Sequence, residues 1–257
     1  MSMESQSALI TGASAGLGTE FARQLAMRGF DLLLVARRSE RLRSLAKELT
    51  EAHEVRVETL PIDLSVPDSP ARILAYTHEC GLQIDFMVNN AGSAGKDLLK
   101  DRSWSEHAEY LELMMISVAQ MCHLFVPLMC DRGYGRIINV ASVAGRIPMP
   151  HDLNYGPSKA YLIALSEALD LTVRSFGVRV SALCPGFTHT EFHDTARLRK
   201  MKARMPGFIW YDAEVVVREG LRALDKGKSV FVSGRLYRWI DPLLQGFWFR
   251  RLIKKFM

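Results

Sequence analysis

Short apolar runs alternate with longer amphipathic segments along most of this chain. The apolar runs suited to buried strands are SALI, DLLLVA, VRVETLPI, IDFMVNN, RIINVAS, VRVSALCP and SVFVSG. The segments between them repeat apolar residues at helical spacing, as in GTEFARQLAMRG and SERLRSLAKELTEA, and a long helix is expected near residues 106–130. Gly29 and Gly177 after helices and Pro70 at a helix start are typical end signals. This rhythm of βαβ units predicts an α/β fold built on a doubly wound parallel sheet.

The composition of the chain indicates a single domain. Of the 257 residues, 48% are hydrophobic, which is enough for a large core, and no linker or repeat divides them. The start MSMESQSALI is polar and leads straight into a short apolar strand, unlike a signal peptide, so we expect a cytoplasmic protein. The four cysteines, Cys80, Cys122, Cys130 and Cys184, lack the spacing of metal ligands, which fits a reducing compartment and predicts no metal site.

The formal net charge of +5 changes this picture little. A basic chain suits an anionic cofactor, an acidic carrier or a membrane surface, and bulk charge does not choose among them. No nucleic-acid partner is predicted. The position of the cations along the chain carries more information than their sum.

A glycine-rich turn follows the first predicted strand. In TGASAGLG, Gly12, Gly16 and Gly18 open the first helix, with Ser14 and Leu17 among them. Small residues let the backbone approach a pyrophosphate, and the helix N-terminus attracts the anion. Glycines also serve ordinary tight turns, but their place between the first strand and the first helix favours a dinucleotide cofactor.

The end of the second strand distinguishes between the two nicotinamide dinucleotides. A site for NAD usually places an acid there for the ribose 2′-hydroxyl, whereas DLLLVARR ends in Ala36, Arg37 and Arg38 without a carboxylate. A guanidinium pairs with the 2′-phosphate of NADP, so we predict Arg37 as its main partner, with Ser14 and Arg38 as helpers. The alternative is a solvated pair of charges leading a helix. The motif predicts a preference for NADPH over NADH.

The segment NYGPSKAYL carries a candidate proton donor. Tyr155 and Lys159 are four residues apart, so on a helix they share one face. Pro157 has no amide hydrogen and is tolerated only in a first turn, which places Tyr155 at the helix start, where the dipole favours a phenolate. The alternative is a surface helix with an ordinary lysine and a half-buried tyrosine.

Five motifs then appear in a fixed order along the chain. They are TGASAGLG, NNAG at Asn89 to Gly92, Ser142 in INVAS, the pair of Tyr155 and Lys159, and CPG at Cys184 to Gly186. Over about residues 6–233 this set resembles the short-chain dehydrogenase/reductase family. The resemblance implies a Rossmann fold with a seven-stranded parallel sheet, a nicotinamide cofactor, and hydride transfer between its C4 atom and a carbonyl or alcohol carbon.

The residue chemistry agrees with such a reaction. A carbonyl that accepts hydride develops negative charge on oxygen, so it needs an orienting donor, assigned to Ser142, and an acid, assigned to Tyr155. A tyrosine has a pKa near 10, which a nearby ammonium and a cationic nicotinamide would lower. We assign the ammonium to Lys159, whose amine in relatives also holds the nicotinamide ribose.

The resemblance also implies further cofactor contacts. Asp63 in PIDLS resembles the residue that contacts adenine. Asn90, Ala91 and Gly92 resemble the turn beside the adenine ribose, or form only a strand-end turn. Pro185, Gly186, Thr188 and Thr190 resemble the segment that fixes the nicotinamide carboxamide, although the two threonines suit helix caps as well.

The substrate side is less specific. We place the reductase domain at residues 1–234, with a substrate lid at about 188–211. The lid contains the cations Arg197, Arg199, Lys200, Lys202 and Arg204 and the apolar residues Met201, Met205, Phe208, Ile209 and Trp210. This mixture suits an acyl group on CoA or on an acyl carrier, and a solvated basic helix fits it equally well. Hydrophobic ketones or aldehydes without a carrier remain an alternative.

The extension at residues 235–257 ends in a basic amphipathic pattern. On a helix, one side would gather Trp248, Phe249, Leu252, Ile253 and Phe256, and the other side Arg250, Arg251, Lys254 and Lys255. Aromatic residues opposite cations are typical of a helix lying on anionic lipid, and the segment is too short and too charged to span a bilayer. Docking on the domain or on a second subunit of a homo-oligomer is the equal alternative.

One position departs from the family pattern. Relatives usually carry an asparagine thirteen residues before the proline of the long fourth helix, and Pro127 puts Met114 there. In relatives this residue supports a local irregularity of the helix, and its carbonyl holds a water linked to the catalytic lysine. Methionine keeps the carbonyl and loses the amide side chain, so we expect an active enzyme with an altered proton relay. The alternatives are that Met114 simply packs, or that the chain binds nucleotide with little or no turnover and serves a membrane or a partner.

Overall fold

The computed structural model describes residues 6–95, 97–150, 152–191 and 206–246. The strands are Ser7–Thr11 (β1), Asp31–Ala36 (β2), Val57–Pro61 (β3), Ile84–Asn89 (β4), Gly135–Val140 (β5), Val178–Cys184 (β6), Thr188–His189 (β7), Tyr211–Asp212 (β8) and Val230–Val232 (β9). The helices are Gly16–Ala26 (α1), Ser39–His53 (α2), Ser69–Glu79 (α3), Trp104–Leu111 (α4), Ser117–Asp131 (α5), Tyr155–Val173 (α6), Ala213–Asp225 (α7) and Arg235–Gln245 (α8).

Seven of these strands form one parallel sheet. Their order is β3-β2-β1-β4-β5-β6-β9, and every neighbouring pair is parallel. The order reverses between β1 and β4, and ligands of such sheets bind in the crevice at the carboxyl ends of the strands beside this reversal. The predicted doubly wound, seven-stranded sheet is confirmed. The sequence did not predict the small second sheet, in which β7 pairs with β8.

A hydrophobic core lies on each face of the sheet. Successive side chains of a strand point to opposite faces. In β2, Leu33 and Val35 belong to the core that includes side chains of α3, α5 and α6. Leu32 and Leu34 belong to the core that includes side chains of α1, α2 and α7, and all four residues are fully buried. Because both faces are covered, the strand is apolar without alternation, as DLLLVA shows.

Helices α4 and α5 form one long rod joined by a π-helical turn, Glu112–Ile116. The 28 residues Trp104–Asp131 are long and apolar enough to cross a membrane by composition alone. Met121, Phe125 and Met129 are buried against the sheet. Core packing therefore accounts for this apolar composition.

Several predictions concern residues outside those described. They are the lid residues Arg197, Arg199, Lys200, Met201, Lys202, Arg204 and Met205 and the amphipathic residues Trp248, Phe249, Arg250, Arg251, Leu252, Ile253, Lys254, Lys255 and Phe256. Of the extension, α8 is described, and its residues Tyr237, Ile240 and Asp241 line a cavity at the carboxyl ends of the strands.

Candidate active site

The carboxyl ends of the central strands open into a cavity of about 1170 Å³. Pockets for drug-sized ligands measure about 300–1000 Å³, so this one has room for a dinucleotide. The predicted residues that line it are Gly12, Ser14, Gly16, Leu17, Arg37, Arg38, Asp63, Asn90, Ala91, Gly92, Ser142, Tyr155, Lys159, Pro185, Gly186, Thr188 and Thr190. The fold thus brings together residues from seven separate segments of the sequence.

Gly18 is the exception, because it does not line the cavity. A Cβ at this position would lie 2.2 Å from the carbonyl oxygen of Gly12, so only glycine lets α1 pack this closely on the end of β1. Gly12 has φ +67°, and its own added Cβ would lie 2.7 Å from Asn90 Nδ2. Gly18 therefore has a packing role that keeps the turn tight, and its contact with the cofactor stays a prediction.

The turn leaves donors for an anion. Asn90 Nδ2 donates to the carbonyl oxygens of Thr11 at 3.0 Å and Gly12 at 3.3 Å, which fixes the backbone here. Ala15, at the N-cap of α1, makes no side-chain hydrogen bond to the helix start. The first amides of a helix have no partner inside it, so they remain available to a pyrophosphate. The residues present fit the cofactor that the sequence predicts.

Two arginines lie at the end of β2, each with a carboxylate partner. Arg37 Nη1 lies 3.6 Å from Asp63 Oδ2, and Arg38 Nη1 lies 3.2 Å from Glu191 Oε2. The end of β2 itself carries no carboxylate, as the sequence indicates, but two carboxylates from other segments lie beside these arginines. The two acids come from the ends of β3 and β7, which the pattern of β2 alone does not reveal.

Both carboxylates are held ionised. Partial burial alone raises the pKa of Asp63, but hydrogen bonds from Ser65 and the charge of Arg37 lower it below the usual value. Hydrogen bonds from Arg41 and then from Arg38 lower the pKa of Glu191. Sequence reasoning missed Arg41 and Glu191, since neither belongs to a motif.

Tyr155 is the first residue of α6, as Pro157 in the first turn predicted. Asp152 accepts the amide of Gly156 with both carboxylate oxygens at 3.0 Å. This carboxylate occupies the helix start and was not predicted. Ser142 follows β5, and its Oγ accepts the amide of Ala144 at 3.1 Å.

Burial sets the protonation of Tyr155 in the protein without cofactor. It raises the pKa of Tyr155 to about 12, and a hydrogen bond with Ser142 only partly opposes this. The nearby charge of Asp152 acts in the same direction as burial. In this state burial therefore favours the protonated phenol, whereas the helix start was predicted to favour a phenolate.

Lys159 is buried beside Tyr155. Its Nζ lies 5.7 Å from the centroid of the Tyr155 ring and donates to the carbonyl oxygen of Val140 at 2.8 Å. Burial lowers the pKa of Lys159 to about 8, and the neighbouring Cys184 slightly opposes this. Lys159 is therefore mostly an ammonium at pH 7.

A buried polar chain holds α6 on the sheet behind these residues. Asn89 Nδ2 donates to Asn139 Oδ1 at 2.8 Å, and Asn139 Nδ2 donates to Ser166 Oγ at 2.9 Å. Asn139 and Ser166 are fully buried. Satisfied polar chains of this kind fix one packing arrangement, so this one sets where α6 presents Tyr155 and Lys159.

Met114 lies inside the π-helical turn and is almost fully buried. The irregularity of the long helix is thus present without an asparagine. The Met114 Sδ atom accepts the amide of Ser93 at 3.4 Å and would lie 3.2 Å from a Cβ added to Gly92. Met114 lines the cavity, so it does more than extend an apolar stripe.

The segment after β6 forms another part of the cavity wall. Pro185 O accepts the amide of Val143 at 3.0 Å, and Thr188 Oγ1 donates to Gly186 O at 3.1 Å. The ring of Tyr237 from α8 covers Gly186, where a Cβ would meet the ring at 2.0 Å. Gly186 is therefore needed for this close contact.

Helix α8 forms one wall of the cavity. Arg146 donates from Nε and Nη2 to the two carboxylate oxygens of Asp241 at 2.8 and 2.7 Å. Gln245 Nε2 donates to Arg146 O at 2.7 Å. Apolar residues line the same region of the cavity: Ile147, Met149, Leu153, Phe187 and Ile240.

The predicted apolar lid residues that are described lie elsewhere. Trp210 packs on Phe187 and His189 with ring centroids 5.0 and 5.4 Å apart, Phe208 is exposed, and Ile209 accepts the hydroxyl of Tyr237. None of Phe208, Ile209 and Trp210 lines the cavity. Trp210 and Ile209 instead contact Phe187 and Tyr237, which do line the cavity, so the predicted place of all three around the pocket is not observed.

A doubly wound sheet with a glycine turn, cations at the end of β2 and a half-buried Tyr155 beside a buried Lys159 defines a nicotinamide-dependent oxidoreductase. A family model described as short chain dehydrogenase matches residues 6–201. The chain belongs to the short-chain dehydrogenase/reductase family.

Two individual relatives are reductases to which this chain is similar over most of its length. The chain is 34% identical over 213 residues to a very-long-chain 3-oxoacyl-CoA reductase of Mycosarcoma maydis, covering 81% of this chain and 60% of that protein's length. It is 35% identical over 198 residues to a putative ketoacyl reductase of Streptomyces coelicolor, covering 76% of this chain and 75% of that one.

A solved structure resembles the whole fold. The short-chain dehydrogenase of Sphingobium yanoikuyae in complex with NADPH is 30% identical, with a TM-score of 0.82 and 94% of each chain covered. The present chain is an NADP(H)-dependent dehydrogenase or reductase, as predicted.

Proposed function

We propose that this enzyme reduces an oxo group on an apolar chain to the alcohol, with 3-oxoacyl thioesters as the substrate class. The observation that carries the proposal is the convergence of Ser142, Tyr155 and Lys159 at a cavity whose neighbouring wall is mostly apolar. NADPH supplies the hydride when it is bound. The chain itself must orient the oxo group and deliver one proton to its oxygen.

Tyr155 is suited to give that proton. With a pKa raised to about 12 by burial, its phenol keeps its proton in the cofactor-free protein at neutral pH. Ser142 accepts the Ala144 amide through Oγ, so its own hydrogen is donated to another oxygen, that of Tyr155 in the cofactor-free protein and that of the substrate when it is bound. Two donors then face the position of the developing oxyanion and stabilise its charge.

Lys159 has two tasks in this proposal. Its ammonium stabilises the phenolate that Tyr155 becomes, and it is close enough to do so, with Nζ 5.7 Å from the ring centroid. It also holds the cofactor ribose, as the family resemblance implies. The cations at the β2 end hold the 2′-phosphate, and the Gly12 turn and the start of α1 hold the pyrophosphate.

The substrate class rests on the cavity wall and on the relatives. Ile147, Met149 and Leu153 offer apolar surface to an acyl chain, and relatives over much of the chain are 3-oxoacyl-CoA and ketoacyl reductases. The Arg146 and Asp241 pair is the polar part of this wall.

A panel of 3-oxo substrates tests the proposal. The absorbance of NADPH is followed with 3-oxoacyl-CoA of increasing chain length and with plain ketones of matching length. We expect the thioesters to be reduced, with kcat/KM rising about fourfold for each methylene that enters the apolar wall, from about 0.8 kcal/mol per buried methylene. Binding of NADPH without its oxidation by any member would overturn the proposal.

A further inference from the structure

A charged cluster, called here the arginine cluster, lies beside the end of β2 and is formed by Ser14, Arg38, Arg41 and Glu191. Arg41 joins it through Glu191 and does not itself line the cavity. Arg41 Nη1 donates to both carboxylate oxygens of Glu191 at 2.8 Å, and Arg38 Nη1 donates to one of them at 3.2 Å. Arg38 Nε also donates to Ser14 Oγ at 3.1 Å. Glu191 thus joins two arginines at the start of α2, although it lies 150 residues further along the chain than Arg41.

The segment that carries Glu191 lies against the glycine turn. A Cβ added at Gly16 would lie 3.1 Å from Thr190 Cβ, so the residue before Glu191 contacts the same turn that contains Ser14. Ser14, Arg38, Thr190 and Glu191 all line the cavity. The Glu191 carboxylate therefore occupies guanidinium donors on the side of the cavity where the 2′-phosphate of the cofactor must be held.

A phosphate would compete well for these donors. A carboxylate carries one negative charge, whereas a phosphate monoester carries about 1.5 to 2 at pH 7 and offers three oxygens to guanidinium groups. The side chains of Arg38, Arg41 and Glu191 are 45%, 49% and 53% exposed. Ion pairs exposed to this degree are weak, so exchanging one anion for another has a small cost.

We propose that Arg41 belongs to the 2′-phosphate site and that Glu191 competes with the 2′-phosphate for Arg38 and Arg41. Without cofactor, Glu191 holds both guanidinium groups in place, and on binding the phosphate replaces it. A dinucleotide without the 2′-phosphate leaves the bridge intact. Glu191 therefore tunes the affinity for the phosphorylated cofactor and has no part in the proposed proton transfer. The inference rests on NADP(H) as cofactor and not on the substrate.

Ligand fragments without a nicotinamide test this inference. The full chain and its variants are titrated by calorimetry with 2′,5′-ADP, which has the 2′-phosphate, and with 5′-ADP, which lacks it. We expect Glu191→Gln to bind 2′,5′-ADP about fivefold more tightly, from the loss of a competing ion pair of up to about 1 kcal/mol, and to leave 5′-ADP within about twofold. Arg41→Gln should weaken 2′,5′-ADP about tenfold and spare 5′-ADP.

A matched control removes one nearby negative charge and keeps the contacts of Glu191 with Arg38 and Arg41. Glu40 is exposed on the same first turn of α2 and next to Arg41, so Glu40→Gln changes the local charge equally. It should shift both affinities by less than about twofold. Weaker or unchanged binding of 2′,5′-ADP to Glu191→Gln, or an equal gain for both ligands, would overturn the proposal. Carbonyl reduction plays no part in these titrations, so a wrong substrate class would leave their outcome unchanged.

Discussion

At the scale of single residues, burial raises the pKa of Tyr155 and lowers the pKa of Lys159. The pKa of Tyr155 is about 12 and that of Lys159 about 8. Between these values, Tyr155 still has a proton to give while Lys159 has lost the charge that stabilises the phenolate. Lys159 is therefore the group that sets the upper pH limit of the proposed reduction.

The first prediction concerns this limit. We expect kcat/KM for carbonyl reduction to be level below pH 8 and to fall as the pH rises through about 8, because kcat/KM reports groups of the free enzyme. NADPH affinity, measured over the same range, separates loss of cofactor from loss of chemistry. A profile that stays level to pH 10, or that rises through pH 8, would contradict this assignment of Lys159.

The same shift predicts a stability effect of known sign. Between pH 8 and about 10.4, Lys159 keeps its proton in the unfolded chain and has released it in the folded protein. The free energy of unfolding therefore rises with pH in this range. The rise is at most about 1.4 kcal/mol per pH unit for a single group. Denaturant unfolding of the parent protein and of Lys159→Met isolates this contribution. The difference between the two should shrink as the pH rises from 8 to 10.

Met114 carries the second prediction. The π-helical turn forms around it, so proton relay by a backbone carbonyl does not require an asparagine to shape the helix. The thioether is a poor hydrogen-bond acceptor, and an amide at this position would give a water near Lys159 an additional partner. We expect Met114→Asn to raise kcat at neutral pH and to change the NADPH dissociation constant by less than about twofold.

Met115→Asn is the matched control, because it places the same amide on the neighbouring residue of the turn, which does not line the cavity. It should leave kcat unchanged or lower it through lost packing. Equal or lower turnover in Met114→Asn, on a substrate that the parent reduces, would show that Met114 does not limit the relay.

At the scale of elements, α8 is a wall of the site and not a detached extension. Tyr237 packs on Gly186 and accepts the amide of Phe187 at 3.2 Å, while Asp241 holds Arg146 with two hydrogen bonds. Residues 235–245 therefore pack against the domain that was predicted to span residues 1–234. A truncation that probes residues 247–257 for lipid binding should end at Gly246, since one ending at Gly234 would also remove this wall.

The third prediction tests that wall. The side chains of Arg146 and Asp241 are 22% and 16% exposed, and removing one partner of a largely buried pair is destabilising. After allowance for this exposure, we expect Asp241→Asn to lower the free energy of unfolding by about 1–3 kcal/mol and to raise KM for the oxo substrate more than the NADPH dissociation constant. Urea unfolding and steady-state kinetics measure the two effects.

Asp225→Asn gives the comparison for a solvated pair. Asp225 lies 3.4 Å from Arg28, with side chains 36% and 52% exposed for Arg28 and Asp225. Its removal should change the free energy of unfolding by less than about 0.5 kcal/mol. If both variants lose the same small amount, the Arg146 and Asp241 pair does not hold α8 in place.

At the scale of the whole molecule, local patterns predicted the sheet and most residues of the site. Apolar runs buried on both faces, glycines at one turn and Tyr155 four residues before Lys159 are all encoded within short segments. The contacts of Glu191 with Arg41, of Asp241 with Arg146 and the tight fit of Gly18 on Gly12 were not predicted. Each joins atoms whose approach is decided by packing, and composition and spacing do not report that.

The central claim is that Tyr155 delivers the proton during reduction of an oxo group. Tyr155→Phe removes one hydroxyl and keeps the ring that packs at the start of α6. Tyr161→Phe makes the same change at a more exposed position of the same helix and serves as the control. NADPH affinity by fluorescence titration and turnover by NADPH absorbance are measured for both variants and the parent.

We predict that Tyr155→Phe binds NADPH within about twofold of the parent and loses turnover by about 10²- to 10⁴-fold, the range expected for a general acid. Tyr161→Phe should match the parent in both measurements. Turnover of Tyr155→Phe above about a tenth of the parent value would contradict the assignment of Tyr155 as the proton donor.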